Sequence, residues 1–395
     1  MFNKYRQVFA GNSAWRFSTA GFIARMPISM VGIGVLMFVQ AERGSYTIAG
    51  ALSATIAISG AIGGPISSRL VDRLGQHRVL PFQISITVAS AIALIFLIPS
   101  DTPVGYLFIF AISSGLASPT IGALVRARWT SLLKSGPILL TAFSIESIID
   151  EMIFILGPTV AATTSVKIHP AAPQIIAAVL LVIGGTWLAS LRDSEPELHP
   201  RQNEHRRPVI FANGLPYVWV IHLAAGGFFG AIELSIIAVT EQADRPIYGG
   251  IFLALWSVGS LIGGLIYGGS DIKTPLATQL ILISAILIPA SVALIFVESF
   301  TILAILSVVA GFGIAPLLIV SMGITQQRSP VGRTTEAIST MYAGLGLGFA
   351  AATAVTGWLI DNRGTNYAFG VGALTAIVTL LVSLAARKRL SSVLT

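Results

Sequence analysis

Long apolar runs alternate with short polar breaks along the whole chain. A helix that crosses a bilayer needs about 20 mostly apolar residues, and twelve runs suit that requirement. Most breaks are short and contain turn residues, as in IPSDTPVG and DNRGTN. The pattern therefore predicts twelve transmembrane helices, over 14–39, 47–68, 79–98, 104–125, 137–163, 171–191, 217–239, 248–268, 276–297, 300–322, 335–360 and 366–386.

One long polar break divides these helices into two groups of six. We predict an N-terminal six-helix bundle over 1–191, a cytoplasmic linker over 192–216 and a C-terminal six-helix bundle over 217–395. SGAIGGPISS (59–68) is echoed by VGSLIGGLIYGG (258–269), and GLASPT (115–120) by GIAPLL (313–318). Such echoes are typical of a duplicated transporter unit. The expected fold is an all-α integral membrane protein with two pseudo-symmetric bundles.

Composition supports this fold and excludes other classes of protein. Only 10% of the residues are charged, whereas about a quarter are charged in an average soluble protein. The net charge of +7 comes from basic residues scattered among apolar segments, so we expect no nucleic-acid partner. The chain has no cysteine, which excludes disulfides, thiolate metal sites and cysteine nucleophiles.

The distribution of lysine and arginine predicts the orientation in the membrane. If the N-terminus is cytoplasmic, eighteen basic residues lie on inner segments and four on outer segments. Positively charged loops stay on the cytoplasmic side. We therefore expect a multi-pass protein of the cytoplasmic membrane with both termini inside. Its partners would be the lipid bilayer, protons and a small-molecule substrate, and we expect a monomer.

The segment Ser68–Arg78 connects the second and third predicted helices. It resembles the signature loop of the Major Facilitator Superfamily, Gly-x-x-x-Asp-Arg-x-Gly-Arg-Arg. The loop matches at Asp72, Arg73, Gly75 and Arg78, and it departs at three positions: Ser68, Gln76 and His77. The resemblance implies a solute carrier that alternates between inward-open and outward-open states, with the matched residues gating the cytoplasmic side. Independently, a carboxylate at a helix end can accept hydrogen bonds from another helix's N-terminus.

A second motif lies in the fifth predicted helix. LGPTVAA (156–162) is similar to the Gly-Pro-x-x-Gly-Gly motif of the family's drug and solute efflux antiporters, with Gly157 and Pro158 matching and Ala161 and Ala162 replacing the glycines. The resemblance implies a gating role for Gly157 and Pro158 and efflux by exchange. The family's fourth-helix pattern Arg-x-x-Gln-Gly is missing, because Ala111 stands where the nearest candidate would need its arginine.

Ionisable residues inside the membrane are costly and usually functional. Glu146 and Asp150 share one face of the fifth helix, and Glu151 points about 100° away from Asp150. Asp150 follows the helix start near Pro137 by 13 residues, or about 20 Å, so we expect it to be the most dehydrated acid. We predict one proton site and one structural partner, with Asp150, Glu151, Glu146 and Glu233 as candidate proton-coupling residues. The alternative is a static ion pair with Arg25.

The first and seventh helices each carry a polar face. The resemblance to the family implies that these two helices line a central cavity, one from each half, so Arg25 and Glu233 are candidates for its opposite walls. Arg25 would favour an anionic substrate. Phe229, Trp256 and Tyr342 would line a partly apolar site, although ordinary packing also accounts for them. Four tryptophans near helix ends are interpreted as interfacial anchors: Trp15, Trp129, Trp219 and Trp358.

These features favour a secondary active transporter that exports a small organic solute in exchange for protons. The alternatives are a proton symporter or facilitator for uptake and, less favoured, a non-transporting receptor or an intramembrane enzyme. The sequence lacks a Gly-x-x-x-x-Gly-Lys-Ser/Thr loop for ATP. It also lacks His-Glu-x-x-His and Gly-x-Ser-x-Gly motifs. We therefore expect no enzyme activity, no cofactor and no metal.

Overall fold

The computed structural model describes residues 2–9, 14–133, 136–198, 208–245 and 247–391. The regular secondary structure of these residues is helical. The sixteen α-helices are α1 (Phe2–Phe9), α2 (Ala14–Arg25), α3 (Pro27–Arg43), α4 (Tyr46–Leu74), α5 (Gln76–Leu97), α6 (Val104–Ala117), α7 (Ile121–Leu133), α8 (Pro137–Lys167), α9 (Ala172–Ser190), α10 (Leu215–Gln242), α11 (Ile247–Gly269), α12 (Leu276–Ile295), α13 (Phe300–Phe312), α14 (Ile314–Arg328), α15 (Thr334–Arg363) and α16 (Thr365–Ser391).

The predicted set of transmembrane helices is confirmed. Eleven helical segments of the described chain are long and apolar enough to cross a bilayer. The helix α8, which carries the three acids, is not among them, but its 31 residues match the 29 of α4 and the 30 of α15. It packs against helices of both halves, so it completes the twelve.

Three predicted spans are broken helices rather than continuous ones. The first span is divided at Met26 into α2 and α3, and Pro27 opens α3. The fourth is divided at Ser118–Thr120, where Pro119 lacks the N–H that a continuous helix requires. The tenth is divided at Gly313. All three spans also run past their predicted ends, to Arg43, Leu133 and Arg328.

The breaks in the fourth and tenth spans fall within the two echoed segments, and the glycine echoes are equivalent in three dimensions. Gly63 of α4 packs against the carbonyl oxygen of Leu116 in α6, and Gly263 of α11 packs against that of Phe312 in α13. In both cases a side chain would collide with the facing backbone. Small residues allow such close helix approach, so each half packs its second span on its fourth in the same way.

The two halves meet at one end of the bundle, where α4 and α11 end and α8 and α15 begin; we call it the Asp72 end. Thr141 of α8 donates a hydrogen bond to the carbonyl oxygen of Gly268 at 2.7 Å, and Ser144 donates to that of Gly264 at 2.7 Å. The short helix α1 adds to this contact. Its Tyr5 hydroxyl donates to the carbonyl oxygen of Leu265 at 2.9 Å.

Lys4 of α1 reaches further along the same contact. Its ammonium group donates to the carbonyl oxygen of Ser270 at 2.8 Å and to the Asp271 carboxylate at 2.5 Å. Among the described residues, the hydrogen bonds that join the halves lie between this end and the middle of the bundle. The bundle is therefore closed at the Asp72 end.

The predicted linker over 192–216 is only partly described, because 199–207 lie outside the described residues. Two short 3-10 helices flank that gap, at Arg192–Ser194 and Val209–Phe211. Four of the basic residues counted on the inner side also lie outside the described residues: Lys134, Arg201, Arg206 and Arg207.

Candidate substrate and coupling site

Four charged side chains meet near the middle of the N-terminal half. Arg25 of α2 donates to Asp150 of α8, Nη1 to Oδ1, at 2.7 Å, and its Nη2 donates to Glu146. Arg126 of α7 donates from Nη2 to the other oxygen of Asp150 at 2.8 Å. We call these four residues the ion cluster. Its two positive and two negative charges cancel, which is how charge is tolerated in a poorly hydrated interior.

Within the ion cluster, Glu146 is sealed from solvent. Its side chain is 0% exposed. Besides Arg25, the Ser18 hydroxyl and the Trp129 indole N–H each donate to its Oε1 at 2.8 Å. The expectation that Trp129 is an interfacial anchor is therefore wrong, because this tryptophan is buried against a carboxylate. Glu146 has the environment of the structural partner.

Asp150 lies at the open edge of the ion cluster. Its side chain is 26% exposed. The Tyr342 hydroxyl from the C-terminal half donates to its Oδ2 at 3.4 Å, and the guanidinium of Arg126 lies 5.4 Å from the Tyr342 ring centre. The expectation that Asp150 is the most dehydrated acid is therefore wrong. Depth along the helix is not burial within the protein, and Glu146 one turn earlier is the more enclosed group.

The two arginines of the ion cluster differ in how far their donors are used. Arg25 is 4% exposed, and its Nε donates to the carbonyl oxygen of Gly21 at 3.1 Å, so every nitrogen has an acceptor. The Nε of Arg126 is buried and has no hydrogen-bond partner among the described residues. Both guanidinium groups are buried, Arg25 at 4% and Arg126 at 3% exposed, so they differ only in that Arg126 keeps one unused donor.

Sequence reasoning missed Arg126 and Arg128, which it placed in an inner loop. The helix α7 continues to Leu133, and both arginines are buried in it. Arg128 donates to Gln76 Oε1 at 2.8 Å and to the carbonyl oxygen of Leu188 near the end of α9 at 2.9 Å. The signal available in the sequence was Pro119, which marks the start of a second helical segment long enough to hold them.

Glu151 is separate from the ion cluster, as its position on the helix predicted. It points to α11 in the C-terminal half, where the Ser260 hydroxyl donates to its Oε1 at 2.5 Å. With Thr141 and Ser144 it forms a line of contacts from α8 to α11. Glu151 therefore lies at the inner end of the contact that closes the bundle.

The residues of the seventh and eighth spans form a separate group. Glu233 of α10 is half-buried and has no hydrogen bond or ion pair with any residue that the structure describes. One turn earlier, the Phe229 ring centre lies 5.0 Å from that of Trp256 in α11. Trp256 is buried, with its indole nitrogen unpartnered among the described residues. His222, also buried, approaches the Ser321 hydroxyl at 3.4 Å.

At the closed end, Asp72 caps a helix of the other half. Its carboxylate accepts from the backbone N–H of Thr335 at 3.3 Å and of Glu336 at 2.9 Å, in the first turn of α15. This confirms the predicted contact between a carboxylate and a helix N-terminus. Arg73 and Arg78 are exposed beside this contact. The chain turns at Gly75 alone, with φ of 92°, a conformation that favours glycine.

The positions that depart from the family signature have their own partners. Ser68 pairs with Thr120 at 2.7 Å. Gln76 accepts from Arg128, and His77 Nδ1 lies 2.8 Å from the Glu195 carboxylate. The contact of His77 with Glu195, together with Arg128, which also donates to Ser194, holds the segment that follows α9 against α5.

Gly157 and Pro158 lie in α8, which continues through the proline without a break. A side chain on Gly157 would collide with Ser29 of α3, whose hydroxyl donates to the carbonyl oxygen of Ile153 at 2.8 Å. The motif therefore marks the close crossing of α8 and α3, one turn past the break at Met26.

A family model and solved structures match nearly the whole chain, and one curated relative matches less than half of it. A family model described as the Major Facilitator Superfamily matches residues 17–273 and 276–393. The niacin transporter NiaP of Acinetobacter baylyi is 27% identical over 175 residues, which are 42% of this chain and only 38% of that protein. The human organic anion transporter MFSD10 aligns over 94% of this chain and 100% of its own, at 12% identity and a TM-score of 0.74. The E. coli fucose:proton symporter FucP aligns over 94% of this chain and 98% of its own, at 13% identity and a TM-score of 0.71.

Proposed function

We propose, from the premise that this chain belongs to the Major Facilitator Superfamily, that it couples protons to the transport of a small organic anion. Membership makes it a multi-pass secondary transporter and not an enzyme. The observation that carries the proposal is the position of Asp150, which lies between Arg25 and Arg126 at the open edge of the ion cluster.

The charge balance of the ion cluster favours binding of a proton together with an anion. The four charges already cancel, so an added carboxylate would be uncompensated in a poorly hydrated site. A proton on Asp150 removes one negative charge and releases Arg126, which can then bind the substrate carboxylate through paired hydrogen bonds. Proton and anion thus bind in the same step, which is the requirement for symport and favours uptake.

We further propose that the Asp72 end is cytoplasmic, on the distribution of lysine and arginine. The bundle would then be closed to the cytoplasm, with 1–191 and 217–395 as the moving bodies of a monomer. The contact of Asp72 with α15 would be the gate, with Arg73, Gly75 and Arg78 around it. The crossing at Gly157 and Pro158 would be the pivot within α8.

The orientation can be tested with single cysteines, since the native chain has none. Cysteines replacing Ser45 or Asp101 should react with an impermeant thiol reagent added to intact cells. A cysteine replacing Asp193 should react only after the cells are opened. The reverse pattern would place the Asp72 end outside.

The printed names of three similar proteins support the proposal, two for the substrate class and one for the coupling class. NiaP is a niacin transporter and MFSD10 an organic anion transporter, and FucP is a fucose:proton symporter. The test is accumulation of labelled niacin, and of a panel of small organic acids, in proteoliposomes. With an inward proton gradient, wild type should accumulate at least one acid above equilibrium.

Asp150→Asn imitates the protonated form permanently. It should abolish accumulation, while exchange of labelled for unlabelled acid persists and affinity stays within about tenfold, or about 1.4 kcal/mol. Asp101→Asn, in the exposed loop between α5 and α6, is the matched control and should behave as wild type. Full gradient-driven accumulation by Asp150→Asn would remove Asp150 from the coupling step and make Glu151 or Glu233 the next candidate.

Proton-coupled export by exchange is the second candidate. It is favoured by Gly157 and Pro158, which match the antiporter motif and lie at the close crossing with Ser29. In that case protons would enter as the acid leaves. Acidifying the outside of vesicles loaded with the acid would then speed its release, whereas under symport it would not.

A further inference from the structure

Glu233 is the one acid of the candidate site that lies in the C-terminal half. Its neighbours one turn away are fixed on two sides. Phe229 contacts Trp256 of α11, and a side chain on Gly230 would meet the carbonyl oxygen of Phe349 in α15 at 2.6 Å. Glu233 lies between these two on the helix surface, because residues three and four apart are neighbours on a helix.

The face of α10 between α11 and α15 is turned toward the N-terminal half. The helices α11 and α15 both contact the N-terminal half, α11 through α8 and α15 through α4. Charged side chains within a membrane span face the protein interior or a water-filled space rather than lipid. Glu233 therefore faces the space between the halves, which Asp150 borders from the other side.

Asp150 and Glu233 also lie at different distances from the Asp72 end of the bundle. Asp150 follows the start of α8 by 13 residues and Glu233 follows the start of α10 by 18, both counted from the Asp72 end. At 1.5 Å per residue, Glu233 is about 7 Å further from that end. A ligand held by Arg126 would thus extend toward Glu233 along the Phe229–Trp256 pair.

We propose that Glu233 and the Phe229–Trp256 pair bind a positively charged end of the substrate, so that the transported anion is a zwitterion. This rests on the proposed function, in which Arg126 holds the carboxylate. A carboxylate without a partner among the described residues is a natural acceptor for an ammonium or a protonated ring nitrogen. Aromatic rings beside it attract the same cation.

The experiment measures binding of three probes of one skeleton to the purified full chain. Benzoate carries only the anion, benzylamine only the cation, and 4-(aminomethyl)benzoate carries both. Wild type should bind 4-(aminomethyl)benzoate at least tenfold more tightly than benzoate. Glu233→Gln should abolish that preference and the binding of benzylamine, while benzoate binding stays unchanged.

Two further variants make the outcomes distinguishable. Glu241→Gln, at the exposed end of α10, should retain the preference, and the ligand-free thermal midpoint confirms that each variant is folded. Arg126→Gln should no longer bind benzoate or 4-(aminomethyl)benzoate but should still bind benzylamine. Equal affinity of wild type for the two carboxylates, or a preference that survives Glu233→Gln, overturns the zwitterion. Carboxylate binding that survives Arg126→Gln overturns the proposed function instead, and binding of none of the probes overturns both.

Discussion

The fourth and tenth spans are built alike but carry different chemistry. Both are broken in the middle, and each packs against a glycine two spans earlier, Gly63 in α4 and Gly263 in α11. Both end in a buried arginine that donates to the carboxyl-terminal carbonyls of the last span in its half. Arg128 donates to Leu188 of α9 at 2.9 Å, and Arg328 donates to Leu390 of α16 at 2.7 Å.

Among the described residues, the ion pairs at the centre lie in the N-terminal half, whereas Glu233 of the C-terminal half makes none. Arg126 and the acids of α8 have no charged equivalents in the C-terminal half, where α15 reads AGLGLGFAA over 343–351. There a buried polar contact joins His222 and Ser321 at 3.4 Å. We expect the features present in both halves to build the duplicated fold, and the Asp150 and Arg126 pair, present in one half only, to serve transport. The predictions below test this division.

The largest effect is expected for Arg25→Ala. It strands the sealed carboxylate of Glu146, and breaking a buried ion pair typically costs about 3–5 kcal/mol. The thermal midpoint of the purified protein should fall sharply. Adding Glu146→Gln should recover most of the loss, and adding Asp150→Asn should recover less, because Asp150 keeps Arg126. If Asp150→Asn restored more of the thermal midpoint than Glu146→Gln, Asp150 would be the structural partner of Arg25 and Glu146 the candidate proton site.

Matched serine substitutions compare the two halves directly. Ser18→Ala removes a donor to the ionised Glu146, a kind of bond worth about 1.5–3 kcal/mol. Ser321→Ala removes a longer contact to His222, which we expect to be worth about 0.5–1 kcal/mol. Unfolding of both variants in the same detergent measures the difference. Equal losses would mean that the charge of Glu146 does not strengthen its hydrogen bonds.

The glycine contacts should be equivalent in the two halves. Gly63→Ala and Gly263→Ala each force a methyl group against a backbone carbonyl, and such overpacking costs about 1–3 kcal/mol. Gly50→Ala in α4 and Gly250→Ala in α11 are controls, since nothing lies within 4 Å of an added methyl group there. A loss confined to one half would contradict the duplicated packing.

At the gate the expected effect is on accessibility rather than on stability. Asp72→Asn weakens the cap on α15 and should raise the reactivity of a cysteine at Thr130, beside the Asp72 contact, by about tenfold, or about 1.4 kcal/mol. Asp271→Asn is the control from the C-terminal half. The hydrogen bond from Lys4 lowers the pKa of Asp271, so the contact is intact at pH 7 and is lost only as the pH falls through that lowered value. Because Asp271 is exposed, its removal should leave the labelling rate unchanged.

The sequence predicted the spans because a bilayer demands apolar length, and no other environment explains so little charge. It predicted the direction of Glu151 and the capping role of Asp72, since both follow from local helix geometry and the helix dipole. It did not place Arg126 or Arg128. An arginine that follows an apolar run has the same local sequence whether it lies in a loop or continues a buried helix.

The roles within the ion cluster could not be read from the sequence either. Glu146 and Asp150 are four residues apart on one helix face, and only the neighbouring helices make one sealed and the other open. Those neighbours, Ser18, Trp129 and Arg126, come from two other spans. Their convergence is a property of the packing.

The charge cancellation in the ion cluster also bears on how the chain enters the membrane during synthesis. The helix α8 is not among the eleven described segments that are long and apolar enough to cross a membrane. Arg25 and Arg126 precede its acids in the sequence, so α2 and α7 are translated before α8 leaves the ribosome. Their arginines, costly to leave alone in lipid, are ready to receive the acids as α8 emerges. We therefore expect these four charges to favour the insertion of α8, because its acids neutralise arginines that entered the membrane earlier.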